Sequence, residues 1–172
     1  MKTGFLFHER YMWHDTGSAA LWYPAGGMIQ PGEHSENPET KRRMRNLLEV
    51  SGLMEMLIQI KPREATLDDV LRVHTSEYID RIKLQSDGRG GEAGEATPFG
   101  PGSFEIALLS AGGTIASADA VFDRIVDNVY ALVRPPGHHA EPDLGRGFCL
   151  LANIAIAIRY LQATRGITRV AV

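Results

Sequence analysis

Residues 128–149 read NVYALVRPPGHHAEPDLGRGFC. The first six, Asn128 to Val133, form an apolar run without polar alternation, the pattern of a strand covered on both faces. The text then changes character: Pro135 and Pro136, Gly137, the adjacent histidines His138 and His139, Gly145, Gly147 and the only cysteine of the chain, Cys149. In an open parallel sheet, ligands bind beyond the carboxyl ends of the strands, so a long irregular loop directly after Val133 is where a site belongs. The fold reading therefore rests on whether the flanking segments supply such a sheet.

They do. Thr3 to Phe7 (TGFLF) reads as a short buried strand, and His8 to Asn37 has no sustained period. A loop of that length is functional or disordered in most compact domains, and Tyr11, Trp13, Trp22 and Tyr23 give this one enough apolar surface to pack. Pro38 opens a helix through Val50, with Met44, Leu47 and Leu48 on one face and Gly52 past its end. Leu57 to Ile60 is a strand, Thr66 an N-cap with Asp68 and Asp69 in the first turn, and Ser76 to Leu84 a further short helix. Residues 86–102, SDGRGGEAGEATPFGPG, are a glycine-rich loop, after which Ser103 caps a long helix to about Val126. Gly112 and Gly113 within it point to close packing on a neighbour. Leu150 to Arg165 is a helix ended by Gly166, and Thr168 to Val172 (TRVAV) begins another buried strand. Strands alternating with helices give an α/β domain, an open, mostly parallel sheet with helices on both faces, without internal repeat or interdomain linker.

Composition fits one globular domain: 172 residues, 44% hydrophobic and 23% charged. A net charge of -3 and a pI near 6.1 give no whole-chain attraction to nucleic acid or to an anionic membrane. The basic cluster of Lys41, Arg42, Arg43 and Arg45 reads as a solvated helix face. A lone cysteine makes no internal disulfide, MKTGFLFHER is no signal peptide, and the apolar run Phe148 to Ile158 falls short of the roughly 20 residues that cross a bilayer. The expectation is a cytoplasmic protein.

An isolated His-His dipeptide is more often plain loop polarity than chemistry. Here Pro135 and Pro136 fix the backbone and Gly137 permits an unusual dihedral, so both imidazoles sit on a stiff mount at a strand end. With an intrinsic pKa of about 6.5, histidine serves as base or acid near neutrality, and in a pair one ring exchanges protons while the other supplies charge or a hydrogen bond. Adjacent histidines on an extended chain point apart, and no partner recurs at ligand spacing, which favours proton transfer over metal coordination. Cys149 reads as structural, and His8, His14, His34 and His74 as isolated side chains without a catalytic role.

RPPGHHA (134–140), GFC (147–149) and the helix beginning LLANIAIAIRYL (150–161) resemble the signature of the histone deacetylase family. TGFLFHERYMWHDTGS (3–18), NPETKRRMRNLLEVSGL (37–53) and RVHTSEYIDRI (72–82) resemble the corresponding blocks of its bacterial class II members, the histone deacetylase-like amidohydrolases. The resemblance covers essentially the whole chain and implies the arginase/deacetylase fold. It implies that His139 is the general base and acid, with His138 its electrostatic partner beside a metal-bound water. Gly147 would offer its carbonyl to the substrate amide N–H, and Phe148 would form one wall of a narrow tube for an acyl-lysine chain. Zinc is the implied cofactor, with a monovalent cation as a further ligand, and an acylated lysine or polyamine is the implied substrate.

The family's zinc ligands, an Asp and a His after the strand beginning at Thr168 and a later Asp, and its late Tyr have no counterparts here. The expectation is thus the N-terminal part of one deacetylase domain, residues 1–172, inactive alone, with its metal ligands after Val172. Asn37 stands where the family has His, and Leu151-Ala152-Asn153 replaces Phe-Asn-Asn, which bears on local packing rather than on the base. Two alternatives stay open: an acetylpolyamine amidohydrolase, whose long 8–37 loop would narrow the pocket or form a homo-oligomer contact, and a non-catalytic binding module.

Overall fold

A computed structural model describes residues 1–172. Strand β1 (Thr3–Leu6) opens the chain with Phe5 and Leu6 buried. The 8–37 excursion, expected to be irregular, carries a 3-10 turn (Glu9–Trp13) and a small antiparallel sheet of β2 (Ser18–Ala20), β3 (Tyr23–Pro24) and β4 (Gly32–Glu33), in the order β3-β2-β4. Strands of two or three residues are too short for alternation to reveal them. Its aromatic residues divide: Tyr11 is buried, whereas Trp13, Trp22 and Tyr23 are exposed.

Helix α1 (Glu39–Val50) starts where the Asn37 side-chain oxygen accepts the Glu39 N–H at 3.0 Å. The apolar face expected of Met44, Leu47 and Leu48 buries no residue, and α1 is tied down by charge instead, Arg42 pairing with Glu9 at 3.1 Å. Strand β5 (Ile58–Ile60) precedes α2 (Leu67–Leu71), which Thr66 and Asp69 close in a reciprocal capping box. Helix α3 (Ser76–Asp87) follows, and the glycine-rich loop holds β6 (Gly91–Glu92), β7 (Gly94–Glu95) and β8 (Pro98–Phe99). Helix α4 (Ser103–Phe122) is entered through Gly102 at φ 74°, a left-handed residue in place of the expected Ser103 cap. By length and composition α4 could cross a membrane, yet most of it is buried in this domain. Then come β9 (Asn128–Ala131), β10 (Gly145–Arg146) and α5 (Asn153–Arg165), which Gly166 terminates at φ 69°.

The main sheet runs β5-β1-β9, all parallel, with Phe5 opposite both Gln59 and Tyr130. Side chains alternate across it. Leu6 joins Tyr11, Met12, Ile106 and Leu109 in a core cluster beneath α4. On the opposite face Arg45 of α1 lies 4.6 Å over the Phe7 ring, and Phe5 stacks on Tyr130. A larger core joins α2, α3, α4 and α5 through Val70, Tyr78, Ile82, Ile115 and Ile156. Two expectations fail at the sheet's other side. Strand β9 is an edge strand with Tyr130 half-exposed, so it is not covered on both faces, and Thr168–Val172 is exposed and forms no strand. An apolar β-rich pentapeptide becomes a strand only where a ladder partner exists, and among these residues it has none.

Gly112 explains how α4 reaches its place. A Cβ there would overlap the Arg63 carbonyl oxygen, backbone that no rotamer change can move aside, and Ala65 N–H donates to Leu108 O at 2.9 Å beside it. Gly112→Ala should cost at least about 1–3 kcal/mol of stability by overpacking. Gly166→Ala, with nothing within 4 Å, should cost only about 1 kcal/mol of backbone strain. Urea unfolding of both variants measures the difference.

Candidate active site

The histidine mount is fastened from two helices. The Pro135 carbonyl accepts the Ser110 hydroxyl of α4 at 2.9 Å and the Asn153 amide of α5 at 3.2 Å, and that amide also meets Ser110 Oγ at 3.0 Å. Asn153, in the segment that departs from the family pattern, thus does local structural work. At Gly137 a Cβ would lie 2.5 Å from both Asn153 N and Leu151 O, so only glycine lets the loop close on the start of α5. On this mount the His138 and His139 rings lie 4.2 Å apart between centroids, tilted by 51°. Both are solvent-exposed, and neither ring hydrogen-bonds to another side chain.

Gly147 and Phe148 arrive from the far side of the same loop. Gly147 N–H donates to Glu95 O at 2.9 Å and Phe148 N–H to Ala96 O at 3.0 Å, so the pair is docked on the glycine-rich loop. Strands β7 and β10 pair beneath them, and a Cβ on Gly94 would overlap the Gly145 carbonyl oxygen. Gly147 has φ 51° and Phe148 φ 73°. The left-handed region is costly for a residue with a Cβ, and such residues concentrate at functional sites. A Cβ on Gly147 would come within 2.8 Å of the His139 ring. The four residues read from the sequence, His138, His139, Gly147 and Phe148, are therefore gathered into one place. Cys149 lies under it, fully buried, receiving the His139 N–H at 3.4 Å. Burial pushes its thiol pKa up, which suits a packing residue and not a nucleophile.

Sequence reasoning missed what stands behind these four. Arg134 is 1% exposed; its Nε contacts both Glu36 carboxylate oxygens at 3.0 and 2.8 Å, and its other nitrogens donate to the Tyr11, His14 and Glu36 carbonyls. Lys41 completes the cluster, 2.7 Å from Glu36. Of the four histidines read as isolated, His8 is exposed, whereas His14, His34 and His74 are buried. His34 accepts the Glu36 N–H at 3.0 Å and meets the Phe148 ring edge-to-face at 4.9 Å. His14 Nδ1 lies 2.9 Å from Ser103 Oγ; burial, then the charge of Arg134, hold its pKa well below the ordinary value. Short irregular loops leave no periodic trace of such contacts, and only the arginine in RPPG was there to be noticed.

A parallel α/β sheet with a histidine pair and a glycine–aromatic pair converging beyond one strand end defines a domain of the deacetylase type. Comparison with known proteins agrees. The Histone deacetylase domain model matches residues 34–172, and the chain belongs to the histone deacetylase family. It is 50% identical to a histone deacetylase-like amidohydrolase of Pseudomonas aeruginosa over 99% of this chain and 46% of that protein. It is 37% identical to a probable deacetylase of Archaeoglobus fulgidus, over 100% and 44%, and 31% identical to the human polyamine deacetylase HDAC10, over 100% and 25%. The crystal structure of the HDA15 HD domain superposes with a TM-score of 0.81 at 32% identity, over 95% of this chain and 44% of that one. The chain thus spans less than half the length of these relatives. The zinc that the resemblance implies finds no matching donor set here: no group of three or more His, Cys, Asp or Glu side chains is placed to hold a metal ion. The chemistry below is confined to this chain's own residues.

Two outcomes follow from the buried cluster. Arg134→Ala leaves the Glu36 carboxylate to Lys41 alone and three backbone carbonyls unpaired and should cost about 3–5 kcal/mol, whereas the double variant Arg134→Met/Glu36→Leu, which removes the buried carboxylate but not the orphaned carbonyls, should recover only part of that loss; denaturant midpoints decide. For His14, the folded pKa is depressed, so the unfolded chain takes up the proton first. Its contribution is complete above about pH 6.5 and is lost as pH falls from there toward the folded pKa, by about 1.4 kcal/mol per pH unit. His14→Gln should flatten the fall in unfolding free energy between pH 6.5 and 5.5 by about 1 kcal/mol, the unfolded imidazole being only half protonated at the upper end of that interval.

Proposed function

We propose that the protein belongs to an amidohydrolase that removes the acyl group from an N-acylated amine, either N-acyl-lysine in a polypeptide or an acylpolyamine. The relatives' names support the class of substrate, one being a polyamine deacetylase. The observation that carries the reading is the contact between the two halves of the loop: the His139 ring fills the space in front of Gly147 that any side chain there would need. His139 and Gly147 are thereby in contact across the loop, and the Gly147 carbonyl also accepts the buried Cys149 thiol at 3.5 Å.

Each residue then has a task. His139 takes a proton from water as its oxygen bonds to the amide carbonyl carbon, and delivers it to the nitrogen as the C–N bond breaks. His138, its ring 4.2 Å from that of His139, tunes this exchange through its own charge. The Gly147 carbonyl accepts the substrate amide N–H and sets the orientation of the scissile bond, which lowers the entropic part of the barrier. Phe148, half-buried and braced by His34, offers an apolar wall to a methylene stem, with a ring face that tolerates a nearby ammonium. Zinc dependence belongs to the same proposal, with ligands other than the side chains of residues 1–172.

In the full-length protein, His139→Ala should lower kcat by about 10²–10⁴-fold on acetyl-lysine peptide or acetylspermidine while circular dichroism is unchanged. Gly147→Ala should lower kcat as well, by displacing His139. Wild-type turnover in His139→Ala would remove the histidine from the mechanism, and the ratio of the two substrates' kcat/KM assigns the substrate class.

A further inference from the structure

The loop that carries the candidate site is tied at two points by a residue outside it. His74, in the turn between α2 and α3, is buried, with Nδ1 3.1 Å from the Pro142 carbonyl oxygen and Nε2 accepting the Ala152 N–H at 2.9 Å. A ring nitrogen that accepts carries no proton, so the single proton of the neutral imidazole sits on Nδ1 and is donated to Pro142. One tautomer satisfies both contacts; the other breaks both. Burial lowers the pKa of His74, against the opposing hydrogen bonds to the Pro142 and Glu141 carbonyls, which favours the neutral ring.

The neighbours of His74 repeat the same connection. Thr75 N–H donates to the same Pro142 oxygen at 3.0 Å. The His74 ring stacks on Tyr78 at 5.3 Å between centroids, and the Tyr78 hydroxyl donates to Leu150 O at 2.7 Å. Gly147 and Phe148 lie between the anchored residues 142 and 150–152. Ala152 is also where α5 begins, next to the Leu151 and Asn153 backbone on which Gly137 closes. One imidazole therefore fixes the distance between the two ends of the segment that presents the glycine–aromatic pair.

We propose that His74 is a positioning residue: as its Nδ1–H tautomer it bridges Pro142 to Ala152 and so seats Gly147 against His139 and Phe148 against His34. It does not touch the exposed histidine pair. An ordinary core histidine would be exchangeable for an apolar ring of similar size, whereas this one is needed for a donor on one side and an acceptor on the other. Only the turnover readout below rests on the deacetylase reading.

The test uses the full-length protein and three variants. His74→Phe keeps the ring and removes both bonds, His74→Asn keeps a donor toward Pro142, and His74→Gln keeps an acceptor toward Ala152. Nitrogen-15 spectra of the wild type at neutral pH should show His74 protonated at Nδ1 and bare at Nε2; the opposite tautomer overturns the proposal. Hydrogen exchange of the 147–152 amides should rise about tenfold in His74→Phe, the scale set by one lost hydrogen bond, with α4 unchanged. His74→Gln should restore slow exchange at Ala152. Wild-type exchange in a folded His74→Phe also overturns the proposal. If that variant fails to fold, the wild-type tautomer and the two amide variants still decide. In turnover, KM should rise more than kcat falls, as misplacement of a substrate wall requires. If the wild type hydrolyses neither substrate, the functional reading fails while the spectra and exchange still judge His74.

Discussion

The interaction on which the arrangement depends is the buried pair of Arg134 and Glu36. An arginine guanidinium offers a planar fork of donors that an ammonium cannot imitate. Here that fork is shared between a carboxylate and three backbone carbonyls of the 8–37 excursion. Arg134 immediately precedes the Pro-Pro-Gly mount, so one side chain fixes the long excursion to the base of the histidine loop. Desolvating two charges is expensive, and a buried ion pair is weak support for stability in general. Its value here is geometric. With Glu36 in place, His34 is set by the Glu36 N–H and braces Phe148, so the excursion becomes a wall of the site.

Backbone proximity is the second constraint. Gly94, Gly112, Gly137 and Gly147 each stand where a methyl group would strike backbone or, at Gly147, the His139 ring. Together they let α4 approach residues 63–65, let β7 and β10 pair below the site, and let the histidine loop fold onto α5. The glycine-rich 86–102 segment is accordingly a platform: its Glu95 and Ala96 carbonyls hold the Gly147 and Phe148 amides.

How much of this was legible in the sequence depends on the range of the interactions. Strand β1, the N-cap at Thr66, the C-terminal glycine of α5 and the close packing at Gly112 are local signals, and the structure contains them. The grouping of His138, His139, Gly147 and Phe148 was legible because they lie within eleven residues of one another in a distinctive motif. Arg134 and Glu36 were not, being 98 positions apart with one partner in an aperiodic loop. The faces of α1 and β9 misled for the same reason: an apolar pattern announces a surface suited to burial without naming the segment that covers it. Three of the four histidines read as isolated are buried, because sequence neighbours say nothing about burial.

Those histidines show how one residue type is divided between two kinds of work. A buried imidazole takes up a proton at high cost, so His14 and His74 are held neutral and act as fixed hydrogen-bonding groups. That inertness keeps the bonds they make in place. His138 and His139 are exposed, with no side-chain hydrogen bond to commit either ring, as the proposed exchange of protons with water and substrate requires. Stiffness is then supplied from below, by Pro135, Gly137 and the buried cysteine that accepts the His139 N–H. Fixed imidazoles beneath the surface hold the loop from below, while the two above it stay accessible to solvent.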